Sequence, residues 1–363
     1  MISLEQISKF IVGLQIKYPK KFLWAFFLLN LLLIPGIFNL VDNVEPSLEK
    51  VLPQDIDEIK TMNYMRSEFS SDILYLVVYT DSPLVDVRDN AYLKYLSILS
   101  SKLELHENIV SVSGIDDFVD YNLDDSRLDL AFVESSDYVK NFVSFDYGFS
   151  MLMVRISTGS NSELIDEVID NIDYEVNLLE EFNPSTRVEV TGFLAIDKKT
   201  FSVIMSDFLV ITFVSMVAIM VIVYFTFGSF ARGMLPMIVV MNALVMTMGI
   251  VGYLGFTITV VSMVSAAMIM GLGIDFGIHQ VYAYFEQRKN MSKKKAIRVV
   301  MEELLRAMLG ASLTTMAGFL ALLFGVLPAM KTLGMILAIG IFTTLIGAIF
   351  LLPVIIYLYD KEE

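Results

Sequence analysis

The sequence contains no cysteine, so any folded segment outside a membrane must be held by its own core, and no redox compartment can be read from it. Histidine is nearly absent as well, with only His106 and His279. Residues 42–206 contain no metal-ligand spacing, glycine-rich phosphate loop or nucleophile elbow, and no nucleophile, base and metal form a constellation in the chain. These absences argue against a soluble-type enzyme and give no reason to expect a cofactor or a metal site. Charge is missing from one long stretch: between Arg232 and Glu286, Asp275 is the only charged residue.

What is present is hydrocarbon. Apolar residues make up 55% of the chain and mean hydropathy is +0.64, more than one soluble core needs. Uncharged runs of the roughly 20 residues that a spanning helix requires occur at 22–41, 208–231, 233–256, 257–274 and onward, 308–327 and 332–359. The pattern predicts a polytopic α-helical membrane protein with six transmembrane helices, one followed by five. A polar segment, 42–206, lies between the first and the second and is long enough for a domain. The chain therefore divides into an N-terminal segment 1–21, a first membrane helix 22–41, the domain 42–206, and a five-helix bundle 207–363 with a basic loop at 286–306.

Residues 42–206 hold 32 of the 41 acidic residues but only 12 of the 26 basic ones. Basic residues gather at Lys9, Lys17, Lys20 and Lys21 before the first run, at Arg232, and between 288 and 306. By the positive-inside rule both termini and the basic loop are expected in the cytoplasm of a cell-membrane protein, and 42–206 outside. Solvation explains the acidity of that segment more simply than attraction of cationic ligands, and no nucleic-acid partner is implied. The first run follows basic residues as a signal sequence would, but it spans a full membrane and lacks a small-residue cleavage site, so an uncleaved anchor is expected. Ahead of it, Ser3 and Gln6 have capping-box spacing, and Leu4, Ile7, Phe10, Ile11 and Leu14 recur at helical period. An amphipathic helix follows, either on the inner membrane surface or packed on the bundle.

The segment 42–206 reads as alternating elements. A helix is expected to about 69, a strand at 73–79, a helix at 87–105 and a strand at 109–112. After a less regular acidic insert come a strand at 151–156, a helix at 163–179 and a strand at 188–191. The order βαβ, insert, βαβ suits a ferredoxin-like α+β sandwich with helices on one face of a sheet. Such a fold names no ligand. His106 stands alone in it and reads as a surface residue.

Asp275 is the leading functional candidate. An unpaired carboxylate at membrane depth costs several kcal/mol or takes up a proton, so its charge state can follow ions or partners. Gly271, Gly273 and Gly277 flank it, and His279 lies one helical turn further on, on the same helix face, as a donor or second proton carrier. A structural hydrogen bond from Thr314 or Thr315 is the plainer alternative, and those hydroxyls equally suit bonds to their own helix. Carboxylate and hydroxyl oxygens also suit sodium, although a proton is preferred as the coupling ion. Gly273 and Gly277 have GxxxG spacing, which points to helix packing. Asn242, like Thr343 and Thr344, is polar at membrane depth, and a packing bond explains it as well as a substrate contact. The basic stretch carries Ile297, Val300 and Leu304 near helical spacing, which predicts an interfacial helix resting on anionic headgroups.

Several local motifs occur in a telling order: Val190-Thr191-Gly192-Phe193 entering the second helix, Phe225-Thr226-Phe227-Gly228-Ser229 leaving it, and Pro236 in the third. Gly271-Leu272-Gly273-Ile274-Asp275-Phe276-Gly277-Ile278-His279 follows in the fourth, Leu313-Thr314-Thr315-Met316-Ala317-Gly318-Phe319 in the fifth and Leu352-Pro353 in the sixth. In this order they resemble one half of a resistance-nodulation-division transporter, in the branch of MMPL lipid exporters, hopanoid transporters and Patched-like proteins. The resemblance implies a porter-type outer domain and a secondary active transporter that moves a hydrophobic or lipid-like substrate. It also implies that Asp275 with His279 carries the ion coupling, with Gly271, Gly273, Gly277, Thr314, Thr315 and Asn242 as supporting or packing residues. Two departures stand out. Full-length relatives generally carry two such halves, so this chain is expected to self-associate, most simply as a homodimer. Many lipid-exporting relatives place a tyrosine where this chain has Phe276, which leaves His279 as the neighbour able to serve the carboxylate. The alternative is a non-transporting membrane protein: a lipid-sensing or scaffold subunit, or a secretion accessory similar to SecD and SecF.

Overall fold

The computed structural model describes residues 4–43, 51–69, 72–80, 87, 89–118, 139–158, 161–182 and 186–360. Ser3 and residues 119–138, the larger part of the acidic insert, lie outside them. The chain forms two units, Met1–Pro53 with Val203–Glu363, and Gln54–Ser202. The first begins with α1 (Leu4–Lys17) and α2 (Pro19–Asp42). Tyr18 leaves helical geometry between them at φ −132°, and Pro19 opens α2 at a position where a missing N–H costs nothing. Of the two placements open to the N-terminal helix, packing on the bundle is the one observed. Val12 and Gln15 are buried, and Val12 sits in a core shared with Val300 and Leu352.

The unit Gln54–Ser202 contains α3 (Asp57–Phe69), β1 (Asp72–Thr80), α4 (Asn90–Leu103), β2 (Ile109–Ser113), β3 (Phe149–Ile156), α5 (Ser162–Phe182) and β4 (Thr186–Thr191). The sheet runs β2-β3-β1-β4, and each neighbouring pair is antiparallel. Leu74, Leu76 and Val78 of β1 are buried while the residues between them are not, the two-residue period of a strand with one face on a core. Leu93, Leu96 and Leu99 of α4 and Val168 and Ile172 of α5 complete that core. Tyr92 is also buried there; its hydroxyl bonds Val78 O and Ser150 Oγ, each at 2.7 Å, and burial pushes its pKa up. His106 is not a solitary surface residue. It is half-buried, with Nε2 3.2 Å from Glu175 Oε1, while Lys102 Nζ donates to Glu175 Oε2 at 2.9 Å. The link joins residues 69 and 73 positions apart, so no local pattern announces it.

The chain continues through α6 (Phe193–Phe227), α7 (Phe230–Tyr253), α8 (Ser265–Arg288), α9 (Lys293–Leu320) and α10 (Pro328–Ile346). A π-helical turn, Gly347–Leu351, joins α10 to α11 (Leu352–Tyr359). Among the described residues six segments are long and apolar enough to cross a membrane: Pro19–Leu40, Ser206–Phe227, Phe230–Tyr253, Val261–Arg288, Lys293–Phe324 and Pro328–Tyr359. The basic loop expected at 286–306 is mostly helix, because α8 runs to Arg288 and α9 begins at Lys293. The apolar stripe expected to rest on headgroups packs on protein instead: Ile297 and Val300 are buried in the bundle core, and Leu304 is packed against it. Charge had marked the end of an uncharged run, not the end of a helix. Between α2 and α7 the backbones touch, since a Cβ added to Gly252 would lie 1.7 Å from the carbonyl oxygen of Gly36.

Candidate functional site

Helix α8 has two unlike faces. Gly273 and Gly277 are buried; an added Cβ would lie 2.8 Å from Thr344 Cγ2 of α10 at the first and 2.6 Å from Pro236 Cβ of α7 at the second. Absent side chains thus seat α8 between two neighbours. Asp275 is two residues from each glycine, about 200° around the helix, and so emerges on the other side. There Asp275 and His279 are exposed to a cavity of about 480 Å³. Phe276 lines it too, as do Ala311 and Thr315 of α9 and Ile341 of α10. Three helices contribute to the site, and only α8 brings charge.

Among the described residues no hydrogen bond or ion pair reaches Asp275 or His279. The two share a face and a cavity without being bonded to each other. Thr314 Oγ1 donates to Gly310 O and Ala311 O, at 3.0 and 2.9 Å, and Thr315 Oγ1 donates to Ala311 O at 2.8 Å. Both hydroxyl protons are therefore committed to α9 itself. Thr315 offers the cavity only lone pairs, which serve a protonated Asp275 or a cation but not a bare carboxylate. Thr314 does not line the cavity, and neither does Gly271, which is exposed with nothing within 4 Å of an added Cβ.

Asn242 is brought elsewhere, onto α7, with its Oδ1 buried and without a partner among the described residues. Near it in sequence, Thr247 bonds Thr343 of α10 at 2.8 Å, and Thr343 also donates to Gly340 O at 3.0 Å. Thr344 donates to Gly340 O at 2.7 Å. The Thr247–Thr343 bond ties α7 to α10 in the interior, whereas the Thr344 hydroxyl serves its own helix. Sequence reasoning passed over Thr247, and it passed over buried Gln280, whose Nε2 reaches Met301 Sδ at 2.7 Å. A polar residue inside an apolar run was the available signal for both. A second cavity, of about 360 Å³, is lined by hydrocarbon from Ile37, Leu40, Phe208, Met248, Val251 and Ile336 among others.

The chain matches the MMPL family over residues 50–362, a stretch that takes in Asp275, His279 and every helix of the cavity. It belongs to the MMPL family. The MMPL chain is 28% identical over 357 residues to membrane protein MJ1562 of Methanocaldococcus jannaschii, covering 94% of this chain and 92% of that protein. It is 27% identical over 177 residues to membrane protein ActII-3 of Streptomyces coelicolor, covering 47% of this chain but only 24% of the relative. Family and fold together make this a multi-helix membrane protein of the resistance-nodulation-division superfamily.

Proposed function

We propose that this MMPL protein is a secondary active transporter that moves a hydrophobic or lipid-like substrate at the expense of an ion gradient, with the proton preferred to sodium. The observation that carries the reading is Asp275: a carboxylate on a membrane-spanning helix, exposed to a cavity and held by no protein partner among the described residues. A carboxylate so placed is open to exchange with a proton or a cation, and each charge crossing the membrane gains about 2.3 kcal/mol per 100 mV. His279 and the Thr315 lone pairs supply the nearby proton and cation ligands. The hydrocarbon-lined cavity supports an apolar substrate. No chemical conversion is assigned to the chain.

Orientation and assembly belong to the same reading. The excess of basic over acidic residues outside 42–206, 14 to 9, supports cytoplasmic termini and an outer domain. The element order and the sheet order β2-β3-β1-β4 support a ferredoxin-like, porter-type architecture for that domain. A homodimer is supported by the bare face beside Asp275, where Gly271, Gly310 and Gly318 have nothing within 4 Å of an added Cβ and Ala307 and Ala317 are exposed. Small residues next to a carboxylate make a poor lipid-facing surface and a good helix-packing one.

Gradient-dependent movement of the lipid that co-purifies with the protein, measured in proteoliposomes, tests the proposal. Asp275→Asn should abolish that movement while the protein remains folded. Undiminished transport overturns the coupling role, and saturable lipid binding without movement under any imposed gradient identifies a sensor instead.

A further inference from the structure

The start of α2 carries a second chemistry unconnected to the Asp275 cavity. Lys17, Lys20 and Lys21 cluster at the junction of α1 and α2, and Glu5 is the only acidic residue before Asp42. None of the three lysines has an ion-pair partner among the described residues. Two are held in place by an aromatic ring: Lys17 Nζ lies 5.2 Å and Lys21 Nζ 4.6 Å from the centroid of Tyr18. Lys20 lines a surface depression of about 300 Å³ whose other walls are Leu23, Trp24 and Phe27.

These four residues follow the spacing of one helix face, and from Lys20 to Phe27 that face descends about 10 Å. Charge is at the top, an indole in the middle and a benzyl ring at the bottom. Trp24 and Phe27 are 62% and 57% exposed, so neither belongs to the core, and they meet edge to face at 5.5 Å. The indole N–H has no partner among the described residues, although such a donor in an apolar setting seeks one.

We propose that this depression is a site for one lipid with an anionic phosphate headgroup, in the leaflet at the N-terminal end of α2. Ammonium groups of Lys17, Lys20 and Lys21 receive the phosphate, the Trp24 N–H donates to an oxygen at the phosphate or ester level, and the first part of a hydrocarbon chain lies on Phe27. Three unpaired cations distinguish the site from a general interfacial belt, which needs only an aromatic at headgroup depth.

Trp24 is the single tryptophan of the chain, so its emission reports this site alone. The full chain in zwitterionic detergent is titrated with phosphatidylglycerol, phosphatidylcholine or inorganic phosphate. A saturable blue shift is expected with phosphatidylglycerol, a far weaker response with phosphatidylcholine and none with phosphate. Each Lys→Gln change at 17, 20 or 21 should weaken binding roughly fivefold, whereas Lys→Arg changes at the same positions should preserve it. Melting temperature, followed in parallel, shows that each variant is folded. Lys20→Gln alone serves as the reading should the change at 17 or at 21 not fold. Equal responses to the two lipids, a shift with phosphate alone, or undiminished binding by folded Lys→Gln variants would overturn the proposal.

Discussion

The side-chain Nε2 of Gln15 donates to the carbonyl oxygen of Ile349 at 2.8 Å and reaches that of Phe350 at 3.3 Å. Ile349 lies in the π-helical turn between α10 and α11, and the residue four positions on is Pro353, which has no N–H to offer. Helix α1 thus provides a side-chain donor to a carbonyl whose α-helical partner position is a proline. The Gln15 amide and the Ile349 carbonyl lie 334 positions apart in the sequence.

Replacing Gln15 with leucine keeps the volume and removes the donor. A buried carbonyl left without a partner costs about 1–3 kcal/mol, so Gln15→Leu should lower the melting temperature of the detergent-solubilised protein. An unchanged melting temperature would mean that α1 does not secure the π turn.

The two faces of α8 should answer differently to bulk. Gly277→Leu forces a side chain into Pro236, whose Cα would lie 3.0 Å from the new Cβ, so folded yield should fall sharply. At Gly271 an added Cβ meets nothing within 4 Å among the described residues, so Gly271→Leu should leave the stability within about 0.5 kcal/mol of the parent. If the bare face is a subunit contact, the same Gly271→Leu protein shifts from dimer to monomer by light scattering.

Asp360 fastens the far end of the bundle. It accepts from the Tyr284 hydroxyl and from Arg288 Nε at 2.7 Å, while its backbone carbonyl accepts from Lys293 Nζ. Burial by itself would raise the Asp360 carboxyl pKa, but the Tyr284 and Arg288 donors outweigh it and hold the group below the usual carboxylate range. Asp360→Ala should cost about 1.5–3 kcal/mol, the range for bonds to charged groups, read as a lower midpoint in thermal unfolding.

Glu175 predicts a pH dependence. The Lys102 ammonium, with His106 beside it, holds the carboxyl below its ordinary value. A depressed folded pKa contributes stability that is complete above the unfolded value near 4.3 and is lost as pH falls through the folded one. Glu175→Gln should therefore lower the melting temperature at neutral pH and narrow its gap to the parent below about pH 4. A gap that stays constant into acid would rule out the ion pair as its cause.

Much of the architecture was legible because its causes are local. Hydrocarbon runs of membrane length need no neighbour to be recognised, and the β-branched and aromatic run at 73–79 marks a strand. Asp275 declared itself by the absence of any other charge around it. The limits of the basic stretch were misread for an equally physical reason: lysine and arginine are good helix formers, so α9 starts among them at Lys293, well ahead of the uncharged run that begins at 308.

By itself the sequence determined that the chain crosses a membrane, where its charges gather, and which residue carries the improbable carboxylate. Only the tertiary structure decided what surrounds that residue. Thr315 and Ile341 reach the Asp275 cavity from separate helices, the hydroxyls of Thr314 and Thr315 turn back to their own backbone, and Gln15 finds Ile349 across nearly the whole chain. Composition and periodicity act over a few turns of helix, whereas these contacts depend on which faces the close-packed glycines allow to meet.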